Sequence, residues 1–447
     1  NVMQTVETDY TGATAAGLWD KLLNFKIGPV SLPAYLFFAA VIFLASYYGK
    51  LPKDMIGGFS VMLILGILLG DMGLRLPVLK DIGGPAILSI FVPSVLVFYG
   101  LLDGPAKEAV VHFTGGKGGG ANFLYFYIAS LVTGSILGML RQVLIQGFLR
   151  MFVPLILGTL ASCIVGTGVG TLMGHGVFES FFYIVVPIIS GGVGEGILPL
   201  SAGYAEIQGV DPGKFIAMVA PAAMLGNVTA IVCAGILRRY AIKHPESTGN
   251  GKLVRTGGDD LLPTEEKEVI NVTILGMGLL TACCFYLFGM LVNMVIPIPA
   301  PIIMILSAAI VKALGIMPAI VEKAAKQFYL FVSKNLTWAL LVGIGVCYTP
   351  WKDVVAVIQP SYVITVIATV LSMVACGFFT ARFLNMYPVE SALVTACHSG
   401  LGGTGDVAIL SASARMELMP FAQISTRIGG AAVVVMAVIL MRVFYGG

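Results

Sequence analysis

Charged side chains are scarce in this sequence. Asp, Glu, Lys and Arg make up 11% of the 447 residues, whereas 57% are hydrophobic. A soluble domain has about a quarter of its residues charged, so this composition excludes an ordinary water-soluble fold. The net charge of +3 supplies no basic surface, and we expect no nucleic-acid partner.

Signatures of other protein classes are also missing. No two of the seven cysteines form a CxxC pair, and all lie within apolar or hairpin segments, which argues against a disulfide framework or a cysteine metal site. Segments of about ten residues with alternating polarity, typical of outer-membrane barrels, do not occur. The sequence therefore predicts an all-α integral membrane protein.

Long apolar segments are what the sequence has instead. About eleven of them have the length of a membrane-spanning helix. They are Leu32–Tyr48, Met55–Leu74, Gly83–Leu102, Ala121–Leu140, Met151–Met173, Lys214–Leu237, Val269–Ile296, Pro301–Met317, Gln327–Tyr348, Ser361–Phe379 and Phe421–Tyr445. The stretch 103–120, although rich in glycine, lacks the spacing of a phosphate-binding loop, and we interpret it as an external loop.

One unusual pattern occurs twice, about 210 residues apart. Glu179-Ser180 is followed by Gly191-Gly192-Val193-Gly194-Glu195, and Glu390-Ser391 is followed by Gly402-Gly403-Thr404-Gly405-Asp406. A glycine-rich break in an apolar segment cannot face lipid, because the bilayer interior has no water to satisfy the freed backbone groups. Each motif therefore predicts a re-entrant hairpin whose bend lies inside the protein.

The repeat divides the chain. We predict an N-terminal segment with an accessory helix (1–54), a first repeat (55–237) with a hairpin at 176–207, a cytoplasmic linker (238–268), and a second repeat (269–447) with a hairpin at 386–412. Five crossings separate the two motifs, so the five-helix repeats have opposite topology, as in many secondary transporters. The distribution of Lys and Arg favours a cytoplasmic N-terminus.

Arg427 is the most informative single residue. It lies about two turns into the last apolar segment, where a guanidinium needs an anionic partner or ligand. An ion pair with Glu195, Glu390 or Asp406 is the structural alternative, but arginine is well suited to bind a carboxylate in a bidentate manner. With two half-helix N-termini it would supply about two positive charges, which matches a dicarboxylate.

Several polar residues near the motifs have more than one interpretation. Glu195 and Asp406 could carry protons, bind Na+ or cap helix ends, with capping favoured. Glu179 and Glu390 are placed near the membrane surface because each opens a hairpin. Thr404, Ser425 and Thr426 could offer oxygens to a substrate or a cation, and His398 is interpreted as a structural residue.

These motifs resemble those of the bacterial 2-hydroxycarboxylate transporter family, which carries citrate, malate and related acids with Na+ or H+. The resemblance extends from Met55 to the C-terminus and includes Ser425-Thr426-Arg427-Ile428-Gly429-Gly430. It implies eleven spans, two re-entrant hairpins, a homodimer and an elevator-like movement. It implies no cofactor other than the coupling ion.

The resemblance also implies site residues. Arg427 and Thr404 correspond to substrate-binding side chains, and Gly192, Val193, Gly194, Leu401, Gly402 and Gly403 lie at the backbone positions that contact substrate. Candidate Na+ ligands are Ile188, Gly191, Cys397 and Gly400, with Asp406 as a further one. The sodium-citrate members have asparagine in place of Val193, and asparagine and arginine in place of Gly400 and Leu401. This difference favours malate, or citrate bound as a dianion.

Other functions were considered. Precursor–product exchange of the same acids is the nearest alternative. Gly403-Thr404-Gly405-Asp406 fits the GxGD pattern of intramembrane aspartyl proteases, but no Tyr-Asp pair supplies the second aspartate. A channel would not need two inverted breaks and a buried arginine. The sequence therefore favours a secondary transporter over an enzyme or a channel.

Overall fold

The computed structural model describes residues 15–79, 84–115, 121–138, 141–251, 253, 255, 269–297, 300–348, 351–352, 355, 359–413, 415, 418, 421–422 and 424–445. Within this part the chain is almost entirely helical. One short antiparallel ribbon, β1 (Lys26–Ile27) with β2 (Val30–Ser31), precedes the apolar helices. The prediction of an all-helical membrane protein is confirmed at this level.

The helices follow one another in a regular order. The first half contains α1 (Ala15–Asn24), α2 (Leu32–Tyr47), α3 (Met55–Arg75), α4 (Gly84–Phe98), α5 (Gly104–Thr114), α6 (Phe123–Leu137), α7 (Arg141–Leu172), α8 (Val177–Ile188), α9 (Leu198–Gln208) and α10 (Pro212–Lys243). The second half contains α11 (Leu275–Asn293), α12 (Ala300–Leu314), α13 (Ala319–Asn335), α14 (Thr337–Tyr348), α15 (Pro360–Thr380), α16 (Pro388–Cys397), α17 (Gly403–Ser413) and α18 (Gly430–Tyr445).

Several of these helices have the length and apolarity of a membrane span. Among the described residues, five qualify, and the bent pair α13 and α14 raises the number to six if it is one span. Four shorter apolar helices, α2, Leu88–Phe98, α8 and α18, fall below that length. The chain is a multi-pass membrane protein, and the number of spans remains a prediction.

The helices pack into two groups. One group, the first body, contains α3 to α6 and α11 to α14; the other, the second body, contains α7 to α10 and α15 to α18. The closest pairing inside the second body is α7 with α15, and in the first body α6 packs with α13. Contacts between the bodies are fewer and involve α10 with α14, α9 with α12, and α6 with the residues at the hairpin breaks.

Three segments predicted from the sequence differ in detail from the structure. The stretch 103–120 is not simply a loop, because α5 occupies Gly104–Thr114 and buries Ala109, Val110 and Phe113; residues 116–120 lie outside the described part. The span predicted at Gln327–Tyr348 is two helices with a 57° bend between them. The linker predicted from residue 238 begins later, since α10 continues to Lys243.

The bend and the extra helix have a common reason. Sequence hydropathy detects segments that can bury apolar surface, but it does not distinguish a straight span from two shorter helices that pack at an angle. The α5 sequence has only a moderately apolar character, yet one of its faces packs against α3 and α14. Tertiary packing therefore makes a helix where the composition alone indicated a loop.

Candidate functional site

The first hairpin is formed by α8 and α9, which meet at a bend around Ser190. Gly191 and Gly192 both have positive φ, of 92° and 98°, a conformation that is strained for residues with a Cβ. The chain then makes a π-helical turn, Val193–Ile197, before α9 begins. The two glycines thus form the bend that the repeated motif predicted.

The second hairpin is formed by α16 and α17. Its bend follows Cys397 and contains Gly402, with a φ of 70°. The carbonyl oxygen of Gly402 accepts a hydrogen bond from the backbone N–H of Asp406, which closes the first turn of α17. In both hairpins the second arm starts at the bend, so its free N–H groups lie there.

The two bends, which we call the hairpin tips (residues 189–193 and 398–403), are in contact. A Cβ built on Gly192 would lie 2.4 Å from the backbone nitrogen of Gly402 and 2.6 Å from the carbonyl carbon of Leu401. A Cβ on Gly402 would lie 3.2 Å from the carbonyl oxygen of Gly191. Glycine is therefore required here both by φ and by the close approach of two backbones.

A third irregular segment lies against the tips. Residues Ile424–Gly429 form a π-helical turn before α18, in the last apolar segment. A Cβ on Gly191 would lie 2.3 Å from the carbonyl oxygen of Thr426, and one on Gly430 would lie 2.5 Å from that of Ser190. Because π turns leave some carbonyl groups out of the regular helical pattern, they are often found at functional sites.

Two side-chain hydrogen bonds join the second hairpin to this π turn. The Oγ1 of Thr426 donates to Oδ2 of Asp406 at 3.1 Å, and His398 Nδ1 lies 2.8 Å from the carbonyl oxygen of Ser425. Asp406, His398, Ser425 and Thr426 are all buried. The Asp406 carboxylate thus accepts a hydrogen bond from the π turn, a different segment, in addition to lying near the start of its own helix.

The structure thus brings most of the predicted site residues together. The backbones of Ile188, Gly191, Gly192, Cys397, Gly400, Leu401 and Gly402 are in or beside the tips and these residues are buried, whereas Val193, Gly194 and Glu195 are partly exposed. Gly403 begins α17. The side chains of Thr404 and Arg427 lie outside the described part, so their roles remain predictions.

The mouth of each hairpin, meaning its open end, carries one glutamate, and the two differ in burial. Glu179, at the mouth of the first hairpin, is exposed, but Glu390, at the mouth of the second, is completely buried. The Glu390 carboxylate accepts hydrogen bonds from the Oγ1 of Thr248 at 2.6 Å and from the backbone N–H of Gly249 at 3.0 Å, and it pairs with Nε of Arg415 at 3.2 Å. The start of the linker therefore covers this mouth.

Asn227 was missed by the sequence reasoning. It lies in the middle of α10, is completely buried, and its Oδ1 accepts a hydrogen bond from the backbone N–H of Leu401 at 3.1 Å. A lone asparagine in a long apolar segment was a usable signal, because an amide in a membrane needs hydrogen-bond partners. Its partner is in a hairpin 174 residues away in sequence, so only the fold could identify it.

The donors and acceptors at the tips suit small ions. Among the described residues, no group of three or more His, Cys, Asp and Glu side chains could hold a metal ion. Carbonyl oxygens and hydroxyl groups, the kinds of ligand that hard cations such as Na+ use, lie around the three breaks. Backbone N–H groups at two helix starts could receive an anion.

Comparison with known proteins agrees with this geometry. The sequence profile of the 2-hydroxycarboxylate transporter family matches residues 27–439. The chain belongs to this family. A Na(+)-malate symporter of Bacillus subtilis is 50% identical over 98% of both chains, and a citrate/malate-proton symporter of the same organism is 42% identical over 98% of this chain and 97% of its own. A citrate/sodium symporter of Salmonella typhimurium is 30% identical over 98% of both chains.

Membership of the 2-hydroxycarboxylate transporter family decides between the functional classes. These proteins are transporters, so the GxGD pattern at Gly403 to Asp406 is not a sign of an intramembrane protease. The same membership confirms the resemblance inferred from the duplicated motif and the Ser425 to Gly430 segment.

A separate cavity of about 670 Å³ lies between the two bodies of this transporter-family protein. It is lined by Tyr125, Glu206, Tyr286, Leu287, Met290, Leu291, Asn293, Met294 and Ala300. The wall is largely apolar and its one charged side chain is a carboxylate, so a dicarboxylate anion would be repelled there. The tips, by contrast, present the free backbone N–H groups of two helix starts, which suit an anion.

Proposed function

We propose that the protein is a secondary transporter that carries malate with Na+ across the bacterial cytoplasmic membrane. The observation that carries this proposal is the convergence of two hairpin tips and a π turn on one buried place, in a chain of this family. The relative that is 50% identical is a Na(+)-malate symporter, which supports both the substrate and the ion.

The electrostatics of the tips support a dianion. Each second arm begins at a tip and contributes about half a positive charge from its N-terminus. Arg427, in the adjoining π turn, adds one charge, so the sum is about two. A 2-hydroxydicarboxylate such as malate carries two negative charges at neutral pH, and its hydroxyl group could bond to Thr404 or to the backbone.

Cation binding is assigned to main-chain oxygens. Ile188, Gly191, Cys397 and Gly400 lie at the tips, and Asp406 with Thr426 lies beside them. A bound Na+ would offset part of the substrate charge. Coupling then requires that each ligand favour the same closed state of the tips.

The sodium-citrate members of the family have polar or charged residues at the positions of Val193, Gly400 and Leu401. Without the additional arginine, a third carboxylate loses one of its partners. This supports malate over fully ionised citrate and leaves citrate taken as a dianion as a secondary substrate.

Proton coupling is the second candidate for the ion. A relative that is 42% identical is a citrate/malate-proton symporter, so the family uses both ions on closely related chains. Precursor–product exchange is the remaining alternative for the transport mode. Both alternatives keep the same site and substrate class.

We further propose that the fold is an inverted repeat. Moving along the chain by about 210 to 220 residues takes α3 to α11, α4 to α12, α6 to α14, α7 to α15 and α10 to α18. Helix α10 leads from the mouth of the first hairpin to the linker, and the linker covers the mouth of the second hairpin, which supports entry of the hairpins from opposite sides. The N-terminus and the linker are assigned to the cytoplasm.

An elevator-type movement is proposed from the packing. Each body takes helices from both halves of the chain, and both hairpins belong to the second body. A movement of that body against the first would carry the tips and their ligands together. The first body would then serve as the scaffold of a homodimer, an assembly that native mass spectrometry of the detergent-solubilised protein tests.

Uptake by the purified protein in liposomes tests the function. Radiolabelled malate is offered under an imposed Na+ gradient without a pH gradient, and under the reverse condition. We expect accumulation with the Na+ gradient. Accumulation with the pH gradient alone would assign proton coupling, accumulation only in malate-loaded liposomes would assign exchange, and no malate movement in any condition would contradict the proposal.

A further inference from the structure

Asn227 occupies a place where α10 contacts both hairpin tips. A Cβ on the preceding Gly226 would lie 2.9 Å from the Ile188 side chain and 3.3 Å from the carbonyl oxygen of Ser399. A Cβ on Gly405 would lie 2.8 Å from Oδ1 of Asn227. Gly226 therefore packs between the end of α8, beside the first tip, and the second tip, and Asn227 packs against the second hairpin.

The bond made by Asn227 differs from that of its polar neighbour. Thr229, two residues along α10, donates its hydroxyl to the carbonyl oxygen of Leu225 in the same helix at 2.8 Å. Asn227 instead uses its Oδ1 for the N–H of Leu401, in another hairpin. Because the Asn227 side chain bonds to the bend of the second hairpin and not to its own helix, its role is at that bend.

The bond determines more than the position of one N–H group. The N–H of Leu401 and the C=O of Gly400 belong to the same peptide unit, and the described part of the chain contains no cis peptide. In a planar trans peptide these two groups point in opposite directions. By holding the N–H toward α10, Asn227 turns the Gly400 carbonyl oxygen away from α10.

This orientation needs an external hydrogen bond to hold it, because residue 400 is a glycine. Gly400 has no Cβ, so ψ of residue 400, one of the two angles that turn the peptide between residues 400 and 401, has few steric restraints of its own. Without an external hydrogen bond it could rotate. A carbonyl that rotates is a poor cation ligand, because pre-organisation supplies much of the affinity.

We propose that Asn227 is the positioning residue of the cation site: it fixes the Gly400 carbonyl oxygen in the orientation that binds Na+. The inference rests on the proposed function, since it assumes that Gly400 is a ligand. It adds a residue on α10 that acts through the Gly400 peptide unit rather than as a ligand. Its effect should therefore fall on Na+ affinity rather than on malate affinity.

Three variants separate the acceptor from the side-chain volume. Asn227→Leu removes the acceptor at nearly constant volume, and Asn227→Asp retains an acceptor oxygen for the Leu401 N–H. Thr229→Val is the matched control, because it removes a polar group of the same helix that bonds only locally. We expect the Leu variant to raise the Na+ concentration for half-maximal uptake by about tenfold or more, which corresponds to a loss of about 1.4 kcal/mol or more of binding free energy.

Malate affinity and maximal rate give the discriminating readout. At saturating Na+, the KM for malate of the Leu variant should stay within about threefold of the parent, and the Asp variant should recover most of the lost Na+ affinity. The Thr229→Val variant should match the parent. A Leu variant with unchanged Na+ dependence, equal behaviour of the Leu and Asp variants, or an effect confined to malate KM would overturn the assignment.

A binding measurement keeps this test independent of transport. Na+ is titrated into the detergent-solubilised protein without malate, and the rise in unfolding temperature is followed. The parent and the Asp variant should be stabilised at lower Na+ than an Asn227→Ala variant, which serves if the Leu variant does not fold. If Na+ stabilises the parent protein but the parent moves no malate, only the proposed substrate is refuted. If the parent moves malate but Na+ does not stabilise it, the positioning role of Asn227 is refuted.

Discussion

At the scale of single residues, Arg427 offers the most direct test of substrate binding. Replacing it by Ala should lower malate uptake at least about 100-fold, because truncating one partner of a desolvated charge pair costs about 2.7 kcal/mol or more. Arg427→Lys should also be strongly impaired, since an ammonium group does not reproduce the planar bidentate geometry. Initial rates of uptake into liposomes measure both effects.

The interpretation of the Arg427 variants depends on folding. Their unfolding temperatures and gel-filtration profiles should match those of the parent. If instead the Ala variant is destabilised and malate still binds, the guanidinium belongs to an internal ion pair with an acid such as Asp406 or Glu195.

Thr426 provides a second prediction at this scale. Its hydroxyl donates to the buried Asp406 carboxylate and joins the π turn to the second hairpin. Thr426→Val should reduce uptake about tenfold, because it leaves a buried acceptor with one partner fewer, at a cost of about 1 to 3 kcal/mol. Thr426→Ser keeps the hydroxyl and should restore most of the rate; a Ser variant as impaired as the Val variant would point to the methyl group instead.

At the scale of elements, the contact between the hairpin tips predicts a sharp difference between two glycines. Gly192→Ala should abolish uptake, because a Cβ there would lie 2.4 Å from the backbone of Gly402 and φ is 98°. Gly168→Ala in α7 is the control, since no atom lies within 4 Å of its Cβ position. Parallel uptake assays compare them, and normal activity of the Gly192 variant would mean that the tips are not closed during transport.

The covered mouth of the second hairpin gives another prediction for an element. Glu390→Gln should lower the free energy of unfolding by about 3 kcal/mol, because it leaves Arg415 without its buried counter-charge. Glu179→Gln is the matched control at the exposed mouth of the first hairpin and should have little effect. Thermal or denaturant unfolding in detergent measures both, and equal stabilities would show that the ion pair contributes nothing to the fold.

For the whole molecule, the proposed movement of one body against the other can be tested by cross-linking. The Glu206 side chain in α9 accepts a hydrogen bond from Asn293 in α11 at 3.3 Å, so this pair bridges the two bodies. Cysteines at these two positions, joined by a short bifunctional reagent, should stop uptake if the bodies must slide. The cross-link is introduced into a variant in which the seven native cysteines are replaced.

A cross-link inside one body is the control. Lys312 in α12 pairs with Glu322 in α13 at 2.6 Å, and both helices belong to the first body. Cysteines at 312 and 322 should cross-link equally well without loss of uptake. Full transport by the protein cross-linked between positions 206 and 293 would exclude a relative movement of the bodies.

The sequence by itself determined the membrane class, the two bends and the family. Hydrophobic content is a property of composition, and a duplicated glycine motif ending in an acid is readable because the bilayer tolerates such breaks only inside protein. Local chemistry also identified Gly191, Gly192 and Gly402, since positive φ and close approach both require glycine. These features depend on residues near one another in the chain.

Only the tertiary structure decided which distant groups meet. The bond from Leu401 to Asn227, the burial of Glu390 under the linker, the helix at Gly104–Thr114 and the bend between α13 and α14 all depend on partners from other segments. Hydropathy and spacing carry no information about such partners, because a buried polar group is stabilised by whatever donor the fold brings to it. The positions of the bends were thus encoded locally, while what holds them in place was settled by packing across the whole chain.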